Sequence, residues 1–174
     1  MPEVDHFERL GLPRRFDLDL AELERQYLTR SRAVHPDFHQ FGGEAEQRAS
    51  LELSSALNEA YATLRDPFRR AEYLLQLEGG PSAAELKEMP ATFLEEMLAS
   101  RMEIEELKES GSESPELVAM ERQLVERREG LLTRAGHAFT RLPEASGRGA
   151  VLKEVRELLN ATKYVQGLLR DLRS

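Results

Sequence analysis

The residues best suited to chemistry lie close together: His35, Pro36 and Asp37 follow one another in the stretch AVHPDFHQ, residues 33–40, and His39 comes just after. His35 and His39 stand four apart with Asp37 between them, so a metal site is conceivable. HPDFH is not the helical HExxH arrangement, however; Pro36 disfavours a continuous helix, and no third ligand is identified, so no metal is expected. His6 reads as a surface or capping residue and His137 as a bundle-end residue. The serines lack a nucleophile elbow, and no glycine-rich segment has the P-loop or dinucleotide-binding form. The many glutamates fall on solvent faces of helices, where chance carboxylate pairs say little about acid–base work. The expectation is a chain that binds proteins, with no catalytic residue and no cofactor of its own.

The elements that position those residues are helical. The chain has 174 residues, is 40% hydrophobic, and contains neither Trp nor Cys. That length suits one ordinary domain or two small ones. Glu, Leu, Arg and Ala dominate, no alternating strand pattern is evident, and an all-α fold follows. Without cysteine there is no disulfide, zinc–thiolate site or cysteine-ligated iron–sulphur cluster. A formal net charge of −8 argues against nucleic acid as partner. No apolar run is long enough for a bilayer, and MPEVDHFERL lacks a signal peptide's hydrophobic segment; no membrane association and a cytoplasmic location are expected.

A short turn of helix is predicted within residues 5–10, capped by Asp5. The next helix runs from about Asp19 to Val34, with Glu22 in capping-box spacing from Asp19. Leu20, Leu23, Tyr27, Ser31 and Val34 form its core stripe, while Arg25, Thr29 and Arg32 share the far side with Arg30 flanking. Residues 35–43 form a loop, in which Pro36 removes a donor and Gly42–Gly43 give turning freedom. A second long helix spans about 44–64, with Leu53, Leu57, Ala60 and Leu64 in its repeat, so the pair makes an antiparallel hairpin. RDP at 65–67 ends it and a short helix covers 68–77. Residues 78–90, rich in breakers, read as a linker, and helices at about 91–109, 115–138 and 148–172 make a three-helix bundle.

The helix that begins near Ala91 carries more apolar surface than one seam uses. At 100° per residue, Phe93, Met97, Ile104 and Leu107 fall on one side, and Leu94, Leu98 and Met102 on another, bordered by Glu95, Glu105 and Glu106. The second stripe is covered by neighbouring elements of this chain or is a protein-binding face for a partner with an apolar patch and basic residues.

Taken together, helix, HPD and helix, with a basic outward face before the tripeptide, resemble the J domain of chaperone co-factors. SALNEAYATLRDPFRRAEYLL resembles the later J-domain helices in the form found in the HscB family, and ATFLEEMLASRMEIEEL is similar to the first long helix of that family's C-terminal bundle. The J-domain likeness covers about residues 3–77 and the family layout nearly the whole chain. The architecture implied is a J domain at 1–77, a linker at 78–90 and a scaffold-binding three-helix domain at 91–174. Lacking cysteine, the chain resembles the shorter bacterial form.

The resemblance implies two partners. One is an ATP-bound chaperone of the seventy-kilodalton heat-shock class (Hsp70-type; HscA or DnaK-like), whose hydrolysis a J domain stimulates. The other is the iron–sulphur scaffold IscU, which the family delivers to the chaperone. Asp37 is implied to accept charge-assisted hydrogen bonds from a chaperone arginine, with Pro36 fixing the loop and His35 bonding within it or to the partner. Arg25, Arg30 and Arg32 are the implied docking patch, and Leu94, Leu98, Met102 and Glu106 the scaffold-binding positions. Phe38 stands where the enteric form has Lys and is a candidate anchor of the loop. Glu95 stands where Met occurs, and Ala99 and Met102 replace acidic residues of the family pattern. A further scaffold contact is expected near Leu158. The competing readings are a J-domain adaptor for another client and a helical dimerisation module using HPD only as a turn.

Overall fold

The computed structural model describes residues 3–35, 37, 39–111, 114–143 and 146–174. Among them the chain forms helices and no strand: α1 (His6–Arg9), α2 (Leu20–Val34), α3 (Glu44–Arg65), α4 (Pro67–Leu77), α5 (Phe93–Glu109), α6 (Pro115–Thr140) and α7 (Arg148–Arg173). They divide into two compact units, Met1–Leu74 and Leu75–Ser174.

In the first unit, Phe7, Leu10, Leu23, Leu57, Ala60, Leu64 and Ala71 are buried. Asp5 caps α1 by accepting the Glu8 N–H at 2.9 Å, and its other oxygen takes Arg14 at 2.6 Å. Burial pushes the Asp5 carboxyl up, but Arg14 and the Glu8 N–H outweigh it and hold the group below its usual range. His6 departs from the surface role expected of it. Its backbone N–H donates to Tyr73 Oη at 2.9 Å and its ring stacks on Tyr73 at 4.3 Å, tying α1 to α4. Burial lowers its pKa, against the opposing pull of Glu59.

The α2–α3 hairpin is held by Leu23 and Leu57 in the core and by Tyr27 stacked on Tyr61 at 4.2 Å, with Tyr27 Oη donating to Asn58. Asp19 caps α2 through the N–H groups of Ala21 and Glu22. The expected capping box does not close, because the Glu22 carboxylate turns along the helix to Gln26 and Arg25. Leu20, expected in the core stripe, is 52% exposed at the first residue of α2, and Leu53 of α3 is also exposed. Asp66 ends α3 and starts α4: its Oδ1 accepts the N–H groups of Phe68 and Arg69. Pro67 therefore lies inside α4, in the first turn, where a missing N–H costs nothing.

In the second unit α6 and α7 run antiparallel. Arg141 at the end of α6 pairs with Glu154 near the start of α7 at 2.8 Å, and Arg173 at the end of α7 pairs with Glu121 near the start of α6 at 2.7 Å. Their apolar repeats bury Leu124, Leu131, Val155, Leu159, Val165 and Leu169. Ser114 caps α6 and Pro115 opens it. α5 lies against both: Arg127 of α6 pairs with Glu96 and covers the Phe93 ring, while Lys108 donates to the Asp171 carbonyl of α7. The segment before α5 is strapped to the same bundle. Arg148 donates to the Glu78 carbonyl at 2.6 Å, and Asn160 Nδ2 donates to the carbonyls of Leu86 and Glu88 at 3.0 and 2.9 Å.

Candidate functional site

Two exposed surfaces, one in each unit, hold the residues singled out by the sequence. The first is the loop between α2 and α3. Asp37 N–H donates to His35 Nδ1 at 3.2 Å, which leaves the proton of a neutral ring on Nε2. The Asp37 carboxylate passes 3.5 Å from the same nitrogen and its side chain is 85% exposed, so it projects to solvent. Pro36 and Phe38 lie outside the described residues.

Side chains of α3 hold this loop, and the sequence reading missed them. Gln47 Nε2 donates to the carbonyls of Gln40 and Gly42 at 3.0 and 3.1 Å. Buried Ser50 donates its hydroxyl to the Val34 carbonyl, one of the groups that α2 leaves unpaired at its end. Glu46 meets His39 at 2.9 Å. The available signal was Glu46, Gln47 and Ser50 in the opening turns of α3, at spacings that share one side of a helix. His39 is thus engaged with Glu46 and with the Ala33 carbonyl. Among the described residues no group of three or more His, Asp or Glu side chains gathers as a metal site.

The arginines divide. All three are exposed, but Arg25 and Arg32 lie seven residues apart, nearly one above the other on α2. Arg25 is paired with Glu22 on its own helix. Arg30 points elsewhere: its Nε donates to Gln26 at 3.3 Å and its terminal nitrogen rests on Gly11 so closely that a Cβ there would lie 2.4 Å away. Gly11 takes φ +66°, and this left-handed backbone calls for glycine at the turn. Arg30 also borders a groove of about 340 Å³ with Val4, Arg9 and Leu53.

The second surface is the outer side of α5. Phe93, Met97 and Ile104 are buried on the inner side, and Leu94, Leu98 and Met102 are exposed at 46%, 48% and 64%. Glu95, Glu105 and Glu106 are exposed beside them. Leu158 does not join this surface. It is 1% exposed on α7, because its place in the apolar repeat turns it into the bundle, so the expected partner contact there is withdrawn.

Comparison with known proteins places the chain in a family. A profile described as DnaJ domain matches residues 5–73, and one described as HSCB C-terminal oligomerisation domain matches residues 89–173. The chain is 37% identical over 139 residues to a co-chaperone protein HscB homolog of Ralstonia nicotianae, covering 76% of this chain and 79% of the relative. Its structure is similar to chaperone HscB from Vibrio cholerae (TM-score 0.76, 28% identity, 97% of this chain and 95% of that one). It is also similar to the human co-chaperone protein HscB (TM-score 0.80, 28% identity, 99% of this chain and 82% of that one). With both domains in order and that identity to a relative, the chain belongs to the HscB family of J-domain co-chaperones.

Proposed function

We propose that this chain stimulates ATP hydrolysis by an Hsp70-type chaperone and delivers the iron–sulphur scaffold IscU to it. The observation that carries the reading is one chain with two exposed surfaces of different chemistry: the Asp37 carboxylate on an anchored loop, and the Leu94–Leu98–Met102 stripe on a helix whose other side is packed. A solvent-facing carboxylate on a pre-ordered loop binds a cation at little ordering cost. By contacting one conformation of the chaperone more strongly than another, it shifts the ATPase equilibrium without supplying a reacting atom. The half-exposed leucines bury apolar area against a client, and Glu106 and its neighbouring carboxylates set the polarity of the rim.

The test is steady-state ATP hydrolysis by the chaperone with this chain, with and without scaffold. Stimulation by the chain alone, and a further rise when scaffold is added, are expected. No stimulation in either arm overturns the reading. The departures at Glu95, Ala99 and Met102 favour a second reading, a J-domain adaptor for another client. Stimulation by the chain together with failure to capture scaffold would select it.

A further inference from the structure

His39 lies two residues beyond Asp37 and reaches both helices that flank the loop. Its Nδ1 is 2.9 Å from Glu46 Oε1 in the first turn of α3, and its Nε2 is 3.3 Å from the Ala33 carbonyl in the last turn of α2. Both partners only accept. A neutral imidazole has one N–H, so either tautomer turns a lone pair toward an acceptor; the imidazolium satisfies both. The ends of the helices favour the same charges. Carbonyls at the close of α2 attract a cation, and the opening turn of α3 suits an anion.

The carboxylate is itself held in place. A Cβ on Gly42 would lie 2.1 Å from Glu46 Oε2, so the carboxylate rests close against the loop backbone. The Gly42 N–H in turn donates to the His39 carbonyl at 3.0 Å. Ring, carboxylate and loop backbone therefore meet just after Asp37, and the ring's second contact reaches back to Ala33 before it.

Resting on the co-chaperone reading above, we infer that His39 is a positioning residue. As an imidazolium it clasps the Asp37 loop between α2 and α3, and coupling to the chaperone weakens as the ring loses its proton. The groups that face the ring are Glu46 from α3 and the Ala33 carbonyl from α2; within the loop, His35 and Asp37 stand 3.5 Å from one another. The Glu46 carboxylate first, then the Ala33 carbonyl, raise the ring's pKa above its ordinary 6.5. A raised value fixes the sign. The clasp is fully formed below 6.5 and is lost as pH rises through the shifted value.

The experiment uses the full chain and its His39→Gln, Glu46→Gln and Asp37→Asn variants. Chaperone ATPase is measured at subsaturating co-chaperone from about pH 6 to about pH 8.5, a range that spans histidine titration. The ratio of parent to His39→Gln cancels the chaperone's own pH dependence. That ratio is expected to fall from several-fold at the acidic end to near one at the alkaline end. A ratio that does not change with pH overturns the clasp. Asp37→Asn separates the two levels of the claim. If it is inert while the ratio stays flat, only the clasp fails; if it stimulates like the parent, the role of Asp37 fails and the clasp with it; if the parent itself does not stimulate, the co-chaperone reading fails. A titration of the ring by NMR, without chaperone, gives a second arm. The His39 midpoint is expected above 6.5, with the Gly42 amide following it, and both are expected to shift back in Glu46→Gln. A parent midpoint at or below 6.5 overturns the inference.

Discussion

The Asp37 loop and the outer side of α5 are both exposed, yet they are held in opposite ways. The loop is fixed by polar contacts from α3: Gln47 on the carbonyls of Gln40 and Gly42, Ser50 on that of Val34, and Glu46 on His39. The α5 stripe rests on packing, with Glu96 and Lys108 adding polar ties to α6 and α7. Its position follows from Phe93, Met97 and Ile104, buried one residue or one turn away on the same helix. A polar mount depends on single groups and on pH, whereas a packed mount depends on volume and tolerates change at its surface. The loop should therefore fail abruptly when one contact is lost, and the stripe should lose affinity in increments.

The strongest way to break this comparison is at the packed mount. Phe93→Ala removes a buried ring that meets Tyr164 edge-on at 6.3 Å and lies under Arg127. It is expected to cost about 3–5 kcal/mol in denaturant unfolding of the full chain. Leu98→Ala, on the outer side, is expected to stay within about 0.5 kcal/mol of the parent. Equal losses from both would show that the stripe is part of the core.

A smaller effect sharpens the loop side. Arg25→Glu combined with Arg32→Glu is expected to slow association with the chaperone several-fold at low salt, an effect that fades as salt rises. Arg30→Glu should change that rate less, because Arg30 is turned to Gln26 and Gly11. A larger rate effect from Arg30 than from the pair would place the docking side elsewhere on α2.

The smallest effect is the response to acid. His6, lowered by burial, contributes stability above its ordinary 6.5 that is lost as pH falls through the depressed value. Asp5, held down by Arg14 and the Glu8 N–H against burial, behaves the same way below 3.8. Hydrogen exchange of α1 amides, corrected for intrinsic rates, should therefore speed up on acidification. The His39 contacts run in the other direction, so the loop should not loosen over the range from 7 to 6. Parallel loosening of α1 and the loop would contradict the assignment of charges.

The helices were legible because their signals are local. Asp19 and Ser114 cap where a cap is needed, Pro115 opens α6, and the apolar repeats of α6 and α7 name their own buried sides. The end of α2 at Val34 was legible for the same reason. What escaped depends on residues far apart in the chain. His6 is drawn inward by Tyr73, and residues 78–90 are strapped down by Arg148 and Asn160. Leu20 and Leu53 have core spacing, but spacing names a direction and not whether a neighbour reaches that far. At Glu22 a competing partner one turn along the helix defeated the capping pattern. The α5 stripe was visible as excess apolar surface; whether anything in the chain covers it required coordinates.

The most direct measurement crosses the two surfaces in one ATPase assay. The parent, Asp37→Asn and the double variant Leu94→Ala with Leu98→Ala are each tested with chaperone alone and with chaperone plus scaffold. Asp37→Asn is expected to lose at least about tenfold of its stimulation in both arms, roughly 1.4 kcal/mol of coupling. The double variant is expected to keep the stimulation seen without scaffold and to lose the increment that scaffold adds. Normal stimulation by Asp37→Asn, or equal loss in both arms for the leucine variant, would contradict the account of two separate docking surfaces.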